Sequence, residues 1–423
     1  MFNTLFYIIA ISLFLLWKLD YIATFLNLKH FSPKVPDEFK GVYDTDKYAK
    51  SQQYHRTHAK WDIIQSTFSL GLLFAVWLSG GFAFIQDWVL SWGWSPLWSG
   101  VAFLGVLGLG NTLISLPFEI HHTFGIEQRF GFNKSTPALF VQDKLKGLAL
   151  TAIIGIPVLA LVLWIFQQFE QAWLWAWISV SVFQIAMMYL APTFIMPLFN
   201  KFAPLEDGEL KTAINQMAKK CDFPLTELFI MDGSKRSTKS NAFFTGLGNN
   251  KKIALFDTLV KNHTTPELVG VLAHEIGHFK KQHIIQRLIT GLIQMAATFY
   301  LLGLCTNTES SFVQNLHEAF GFTPEAITPA TALLLFSFLF TPVSKVLEIL
   351  GNITSRKHEF EADAYAAEVT EDADSMINAL KKLSVDNLSN LTPHPLVVFM
   401  EYSHPPVLQR IGALRAVKRL NSQ

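Results

Sequence analysis

Seven long apolar runs, separated by polar stretches, dominate the pattern along this 423-residue chain. A helix of such a length can cross the roughly 30 Å hydrocarbon layer of a bilayer. The runs cover approximately residues 4–26, 63–85, 98–120, 146–166, 172–194, 287–305 and 329–350. The pattern therefore predicts a mainly α, polytopic membrane protein with seven transmembrane helices.

The first run is the weakest, because its apolar stretch is short and is interrupted toward its end by Lys18 and Asp20. A cleaved signal peptide is the alternative interpretation. The first residues carry no positive charge and no small-residue cleavage site is recognisable, so a retained membrane anchor is favoured.

Composition agrees with a membrane protein. Half of the residues are hydrophobic and 16% are charged, which argues against a soluble enzyme of this length. A formal net charge of +1 without a basic patch gives no electrostatic basis for binding nucleic acid. Cys221 falls in a polar segment and Cys305 near the predicted opposite membrane face, so we expect two inert thiols and no disulfide.

Lysine and arginine alternate between the connections of the seven runs. The connection 27–62 is rich in both, whereas 86–97 has neither, and this alternation continues to the basic tail after residue 351. Positive charge marks the cytoplasmic side of a membrane protein. The N-terminus is therefore predicted outside, and the C-terminus and the long polar regions in the cytoplasm.

A short motif, His-Glu-Ile-Gly-His, begins at His274. Positions i and i+4 of a helix share one face, so His274 and His278 can hold one Zn²⁺ while Glu275 acts on water activated by the ion. Catalytic zinc needs three protein ligands and an open position, so a third ligand must lie elsewhere. Thr265 is predicted as the N-cap of this helix and Pro266 as its first residue. Accidental spacing of two helix histidines is the alternative.

The polar region before the motif predicts a small helix and a sheet. Leu210, Ile214 and Met217 form a helical stripe, and 228–231 is typical of a short strand. The stretches 241–245 and 253–256 flank a glycine-rich turn, which predicts a hairpin. One of these strands could pair with an extended substrate. A purely structural hairpin is the alternative.

The region after the seventh run contains the candidates for the third ligand. Glu359 and Asp363 are four residues apart in a stretch of good helix formers, so one carboxylate could bind zinc while the other supports a ligand histidine. His358 or Glu361 could be the ligand instead, and an ordinary surface helix is a further alternative. The chain crosses the membrane twice after His278, which returns this segment to the side of the motif.

Another polar group lies at the end of the third run. Glu119, His121, His122 and Glu127 resemble a second metal cluster. No regular ligand spacing supports one, so we predict an interfacial or chamber-lining network.

Several segments together resemble the type I CAAX prenyl endopeptidases. They keep that family's order and approximate spacing from about residue 115 to the C-terminus, whereas the first hundred residues match in span pattern more than in motif. The matching segments are 130–134, 197–202, 232–237, 240–246, 274–278 and 355–363.

The resemblance implies seven helices enclosing a chamber, with one zinc site at its cytoplasmic end. Its ligands would be His274, His278 and Glu359. Glu275 would be the general base and acid, and Asp363 would support a ligand histidine.

The resemblance also extends to the substrate side of the site. His404 and Arg410 match a segment near the active site, where either could donate to the developing oxyanion. For them a capped helix start and a salt bridge are the alternative. Asn241, Ala242 and Phe243 would line the substrate.

These inferences predict four regions and a function. Residues 1–199 would hold five transmembrane helices, 200–286 a cytoplasmic catalytic region, 287–350 two further transmembrane helices, and 351–423 a second catalytic region. The substrate would be a peptide or protein, lipidated or not, cleaved at the surface of the endoplasmic reticulum or of a bacterial inner membrane. A broader membrane-protein quality-control protease and a catalytically silent zinc-binding scaffold are the alternatives.

Overall fold

The computed structural model describes residues 2–245 and 251–421. Its helices include several that combine an α-helical part with a π-helical segment. In chain order they are α1 (Thr4–His30), α2 (Thr45–Leu78), α3 (Gly81–Leu90), α4 (Pro96–Phe130), α5 (Pro137–Gln168), α6 (Ala172–Phe199), α7 (Glu209–Lys220), α8 (Asp257–Asn262), α9 (Thr265–Lys280), α10 (His283–Leu304), α11 (Ser311–Ala319), α12 (Pro329–Thr370), α13 (Ala373–Asp386), α14 (Pro395–Glu401) and α15 (Val407–Asn421).

Seven of the described helices are long and apolar enough to cross a membrane: α1, α2, α4, α5, α6, α10 and α12. The predicted number of spans and the mainly α fold class are therefore confirmed. Few residues of these helices are buried by other protein segments, only 6% in the apolar window of α2. Most of their apolar side chains are thus available to face lipid.

The predicted second span, 63–85, is wrong in its limits. Helix α2 begins at Thr45, capped by Asp44, and ends at Leu78. The chain then turns through Gly80, whose φ of +71° favours glycine, into the separate helix α3. Both sides of this turn are apolar, so the hydrophobic pattern runs through it without a break.

Helix α12 is continuous across the predicted boundary at residue 350. Its 42 residues span about 63 Å at 1.5 Å per residue, which is twice the thickness of the hydrocarbon layer. The apolar first half can therefore cross the membrane while the polar second half projects beyond it and carries Glu359.

Four strands form one small mixed sheet in the order β1–β2–β4–β3. They are β1 (Phe202–Pro204), β2 (Leu225–Met231), β3 (Ala242–Thr245) and β4 (Lys251–Phe256). Strand β2 is parallel to β4, whereas the β1–β2 and β3–β4 pairs are antiparallel. The predicted strand and hairpin pairing are confirmed, and the connection 246–250 lies outside the described residues. Strand β3 is an edge of the sheet.

Helix α9 packs its apolar residues against this sheet. Leu268, Leu272 and Ile276 share a core with Ile253 and Leu255 of β4. This burial, worth about 1.5–3 kcal/mol for each side chain, orients the helix so that its other faces meet α12 and α13.

The N-cap of α9 is Thr264, so the prediction of Thr265 is wrong by one residue. Thr264 and Glu267 form a capping box, in which each side chain binds the backbone N–H of the other. A capping box requires the acid three residues after the cap. Because Glu267 lies three residues after Thr264, Thr264 and not Thr265 is the N-cap.

Both cysteines are free, as predicted, and both are buried. Burial raises the pKa of the Cys305 thiol to about 11. A protonated, inaccessible thiol reacts slowly.

Candidate metal centre

Two helices bring three potential metal ligands together. His274 and His278 extend from one face of α9, and their Nε2 atoms are 3.2 Å apart. Glu359 of α12 places one carboxylate oxygen 3.4 Å from Nε2 of His274 and the other 3.3 Å from Nε2 of His278. All three side chains are buried or nearly so.

Asp363 and Arg410 orient the first of these histidines. Nδ1 of His274 lies 2.9 Å from the Asp363 carboxylate, which in turn accepts two hydrogen bonds from Arg410 at 2.6 and 2.8 Å. With Nδ1 donating to Asp363, Nε2 of His274 is free to bind a metal ion, an arrangement common around metal-ligating histidines.

The arrangement fits a divalent metal ion. Each oxygen of the buried Glu359 carboxylate faces one imidazole nitrogen, and the oxygen nearest His274 also lies 3.6 Å from a terminal nitrogen of Arg410. Burial opposes protonation of His274, but the Asp363 and Glu359 carboxylates beside it raise its pKa to about 9. A positive charge is thus favoured among these groups, and a metal ion would supply it.

The second histidine has a different partner, which the sequence did not identify. Nδ1 of His278 lies 3.0 Å from Nδ1 of His283, and Nε2 of His283 lies 2.9 Å from a Glu361 oxygen. If Nε2 of His278 binds an ion, its Nδ1–H can donate to His283, whose Nε2–H donates to Glu361. His283 is the first residue of α10.

The other two candidates for the third ligand lie away from the pair of imidazole nitrogens. Glu361 binds His283 as described, and also lies 3.7 Å from the Lys357 ammonium. The His358 ring stacks on His283 with centroids 3.9 Å apart, and its Nε2 is 3.2 Å from Gln286. Only Glu359 of the three is grouped with His274 and His278.

A cleft of about 230 Å³ opens in front of these residues. Glu275 lines it together with His274 and Glu359. Burial raises the pKa of the Glu275 carboxyl, which makes it a stronger base when ionised. This is the property required of a group that takes a proton from water near neutral pH.

His404 and Arg410 also line this cleft but in different ways. Nε2 of His404 lies 3.5 Å from Glu359, and its side chain remains 65% exposed. Arg410 is 11% exposed and is held by Asp363. The predicted salt bridge of Arg410 is thus present at the site itself. The predicted helix start lies further along, since α15 begins at Val407.

The edge strand contributes two of its three predicted residues to the cleft. Asn241 and Ala242 line it. Phe243 lines a separate cavity of about 590 Å³ beside Met196 and Pro197. The three residues are therefore divided between two cavities, and their part in binding substrate stays a prediction.

Comparison with known families covers almost the whole chain. Residues 24–201 match the family model described as CAAX prenyl protease N-terminal, five membrane helices. Residues 204–418 match the model of peptidase family M48. The two matches meet just before β1, at the start of the polar region that leads to the metal centre.

Relatives extend this match over the full length. CAAX prenyl protease 1 of Saccharomyces cerevisiae is 37% identical over 411 residues, covering 90% of this chain and 88% of the relative. The Homo sapiens CAAX prenyl protease 1 homolog is 31% identical over 432 residues, covering 91% and 89%. The crystal structure of S. mikatae Ste24p, 34% identical, superimposes with a TM-score of 0.91 and covers 98% of this chain and 100% of that one. The chain therefore belongs to peptidase family M48 and is an integral-membrane metalloprotease of the group that contains the CAAX prenyl proteases.

Proposed function

We propose that this chain is a zinc endopeptidase that cleaves C-terminal, CAAX-like peptides, with one catalytic zinc ion held by His274, His278 and Glu359. The convergence of two imidazole nitrogens and the two oxygens of one buried carboxylate, with separations of 3.2–3.4 Å, carries this proposal. Three ligands of this kind, with the fourth position open, are typical of catalytic rather than structural zinc.

Glu275 is the proposed general base and acid. When bound, the zinc ion supplies a Lewis acid that polarises the scissile carbonyl and acidifies water. Glu275 takes the proton from the attacking water and returns it to the leaving amine. Its position in the cleft and its raised pKa support both transfers.

His404 is the better placed of the two candidates for oxyanion stabilisation. Its side chain is largely exposed at the cleft and can turn toward a bound substrate. Arg410 directs Nε and one terminal nitrogen to Asp363, so its proposed role is to hold Asp363 and, through it, His274. A hydrogen-bond donor at the developing oxyanion is worth about 2.7–4 kcal/mol in other proteases.

The substrate backbone is proposed to bind along the free edge of β3. An extended peptide can add to an edge strand by main-chain hydrogen bonds, and Asn241 and Ala242 bring this edge to the cleft. CAAX-like termini are inferred from the names of the relatives. An apolar cavity of about 490 Å³ among α2, α4 and α12, lined by Phe68, Phe118 and Phe338 among others, could accept a lipid chain.

The bilayer orientation is proposed from charge. The connections on the side of the metal centre are basic and those on the opposite side lack lysine and arginine, so the catalytic face and the C-terminus would be cytoplasmic. The membrane would be the endoplasmic reticulum in a eukaryote or the inner membrane in a bacterium. Nucleic acid is not a proposed partner.

Purified, metal-analysed protein and its Glu275→Gln variant test the function directly. Both would be incubated with matched prenylated and unprenylated CAAX peptides and with an unfolded membrane protein. We expect the wild type to cleave the CAAX peptides and to lose activity with a chelator. Glu275→Gln should keep its zinc but lose activity by roughly 10²–10⁴-fold. A fully active Glu275→Gln variant would refute the role of Glu275.

The same substrates separate the alternatives. Preference for the unfolded protein over both peptides would favour a quality-control protease. A wild type that binds zinc and cleaves none of the three would favour a silent scaffold, although the carboxylate of Glu275 in the cleft argues against it, since a structural zinc site needs no general base.

A further inference from the structure

A second group of metal-ligating side chains lies outside the catalytic centre. His58 of α2 meets His122 and Glu127 of α4, and one ligand atom from each lies within 4.8 Å of the others. Nε2 of His58 is 3.1 Å from Oε1 of Glu127, and the His58 and His122 rings meet edge to face with centroids 5.0 Å apart. This cluster shares no residue with the catalytic one.

The distance between His58 and Glu127 matches that of two ligands around one ion. Two atoms bound at about 2.0–2.1 Å in a tetrahedral site stand roughly 3.3 Å apart. The catalytic residues show distances of 3.2–3.4 Å, and the 3.1 Å between His58 and Glu127 is similar. The donor set is also the same, two imidazoles and one glutamate.

The surroundings hold the Glu127 carboxylate in place. Tyr54 donates a hydrogen bond of 2.6 Å to Oε1, and the Lys239 ammonium lies 3.0 Å from Oε2. The carboxylate is only 12% exposed. Oε2 is thus committed to Lys239, while Oε1 faces His58 and can take one coordination position.

The donor types indicate which ion would fit. Two imidazoles and one carboxylate oxygen suit a divalent ion of the zinc, cobalt or nickel class.

The π-helical segment of α4 explains how His122 and Glu127 come together. Residues 121–127 form this segment, in which hydrogen bonds join residues five apart. In an α-helix two residues five apart point to different faces. In this π-helical segment His122 and Glu127 both lie on the side of α4 that faces His58. Their neighbours go elsewhere: Glu119 pairs with Lys144, and the His121 ring packs on Trp61 with centroids 4.1 Å apart.

We propose that His58, His122 and Glu127 form a second site for a divalent transition-metal ion, separate from the catalytic zinc. The proposal does not depend on the peptidase chemistry, because binding is measured without substrate. It also differs from the sequence-based prediction of a network without a metal, which could not include His58 from another helix.

Metal content tests the proposal. Full-length, tag-free protein in detergent would be dialysed against a defined free Zn²⁺ concentration, and zinc per chain measured by mass spectrometry. We expect two equivalents in the wild type and one in His122→Ala. His121→Ala, which changes the adjacent histidine of the same segment, should keep two. His274→Ala should lose the catalytic ion and keep the other.

The catalytic zinc ion serves as the control for folding. A variant that still binds this ion has an intact catalytic centre. If His122→Ala loses both ions, His58→Gln on the other helix provides the same comparison. The proposal is overturned if the wild type saturates at one equivalent, or if His121→Ala and His122→Ala lose zinc equally.

Discussion

Three ionisable side chains within one turn of α12 have different surroundings. Glu359 faces the two imidazoles of α9, Glu361 binds His283, and His358 stacks on the His283 ring. Because their side chains leave the helix in different directions, these neighbouring positions have separate partners. Substitutions here can distinguish a ligand from a supporting residue.

Glu359→Ala should lower zinc content far more than Glu361→Ala. The first substitution removes a ligand, whereas the second removes only a hydrogen-bond partner of His283. The check is zinc per chain in both purified variants, with retention time on gel filtration as the control for folding. Equal zinc content would count against Glu359 as the third ligand.

His283 should act on zinc affinity without touching the ion. His283→Phe keeps a ring to stack on His358 but removes the acceptor for Nδ1 of His278. Loss of such a supporting partner typically weakens metal binding about 10–100-fold. Competition with a chelator would measure this change, and His358→Phe, which alters the other ring of the stack, should remain near the wild type. Unchanged affinity in His283→Phe would mean that the contact has no supporting role.

At the level of elements, the site depends on how closely α9 approaches α12. A Cβ added to Gly277 would lie 3.1 Å from Cα and 3.2 Å from the carbonyl oxygen of Ala362. Backbone atoms at this distance cannot turn aside, so the helices would have to separate. The ligands on the two helices would then move apart.

Gly277→Ala should therefore weaken both zinc binding and peptidase activity. Overpacking of this kind costs about 1–3 kcal/mol, which corresponds to roughly 5- to 150-fold in affinity. Gly270→Ala on the same helix is the matched control, because its Cβ would meet Met376 at an ordinary 3.4 Å. Chelator competition and kcat/KM would be measured for both, and equal effects of the two substitutions would contradict the role of this close approach.

Sequence patterns predicted the elements that have a strong local signal. The apolar runs revealed all seven spans because each is near the length that a membrane requires, and alternating segments revealed β2, β3 and β4. The break at Gly80 was missed because apolar residues lie on both sides of it. The motif spacing gave His274 and His278, since both lie on one helix.

Residues brought together by packing were not predictable in the same way. His283 lies five residues after His278, but its contact depends on the turn between α9 and α10. His58 and His122 meet only because α2 packs beside the π-helical part of α4.

At the scale of the whole molecule, all proposed catalytic residues should lie on one side of the membrane. Helix α9 precedes the sixth span and the second half of α12 follows the seventh, so two crossings return the chain to the same face. The connection between α10 and α11 is on the opposite face. This arrangement is what allows residues 274 and 359 to meet, and the charge pattern gives it a direction.

Variants with one added cysteine can establish that direction. Glu309→Cys, in the exposed connection between α10 and α11, should react with a membrane-impermeant maleimide on intact cells if that compartment is external. Asp207→Cys, at a side chain that is 96% exposed on the catalytic face, should react only after permeabilisation. The native thiols are buried, and the pKa of Cys305 is raised to about 11, so the unmodified protein supplies a low background. The reverse labelling order would place the catalytic face outside and would contradict the orientation predicted from the basic connections.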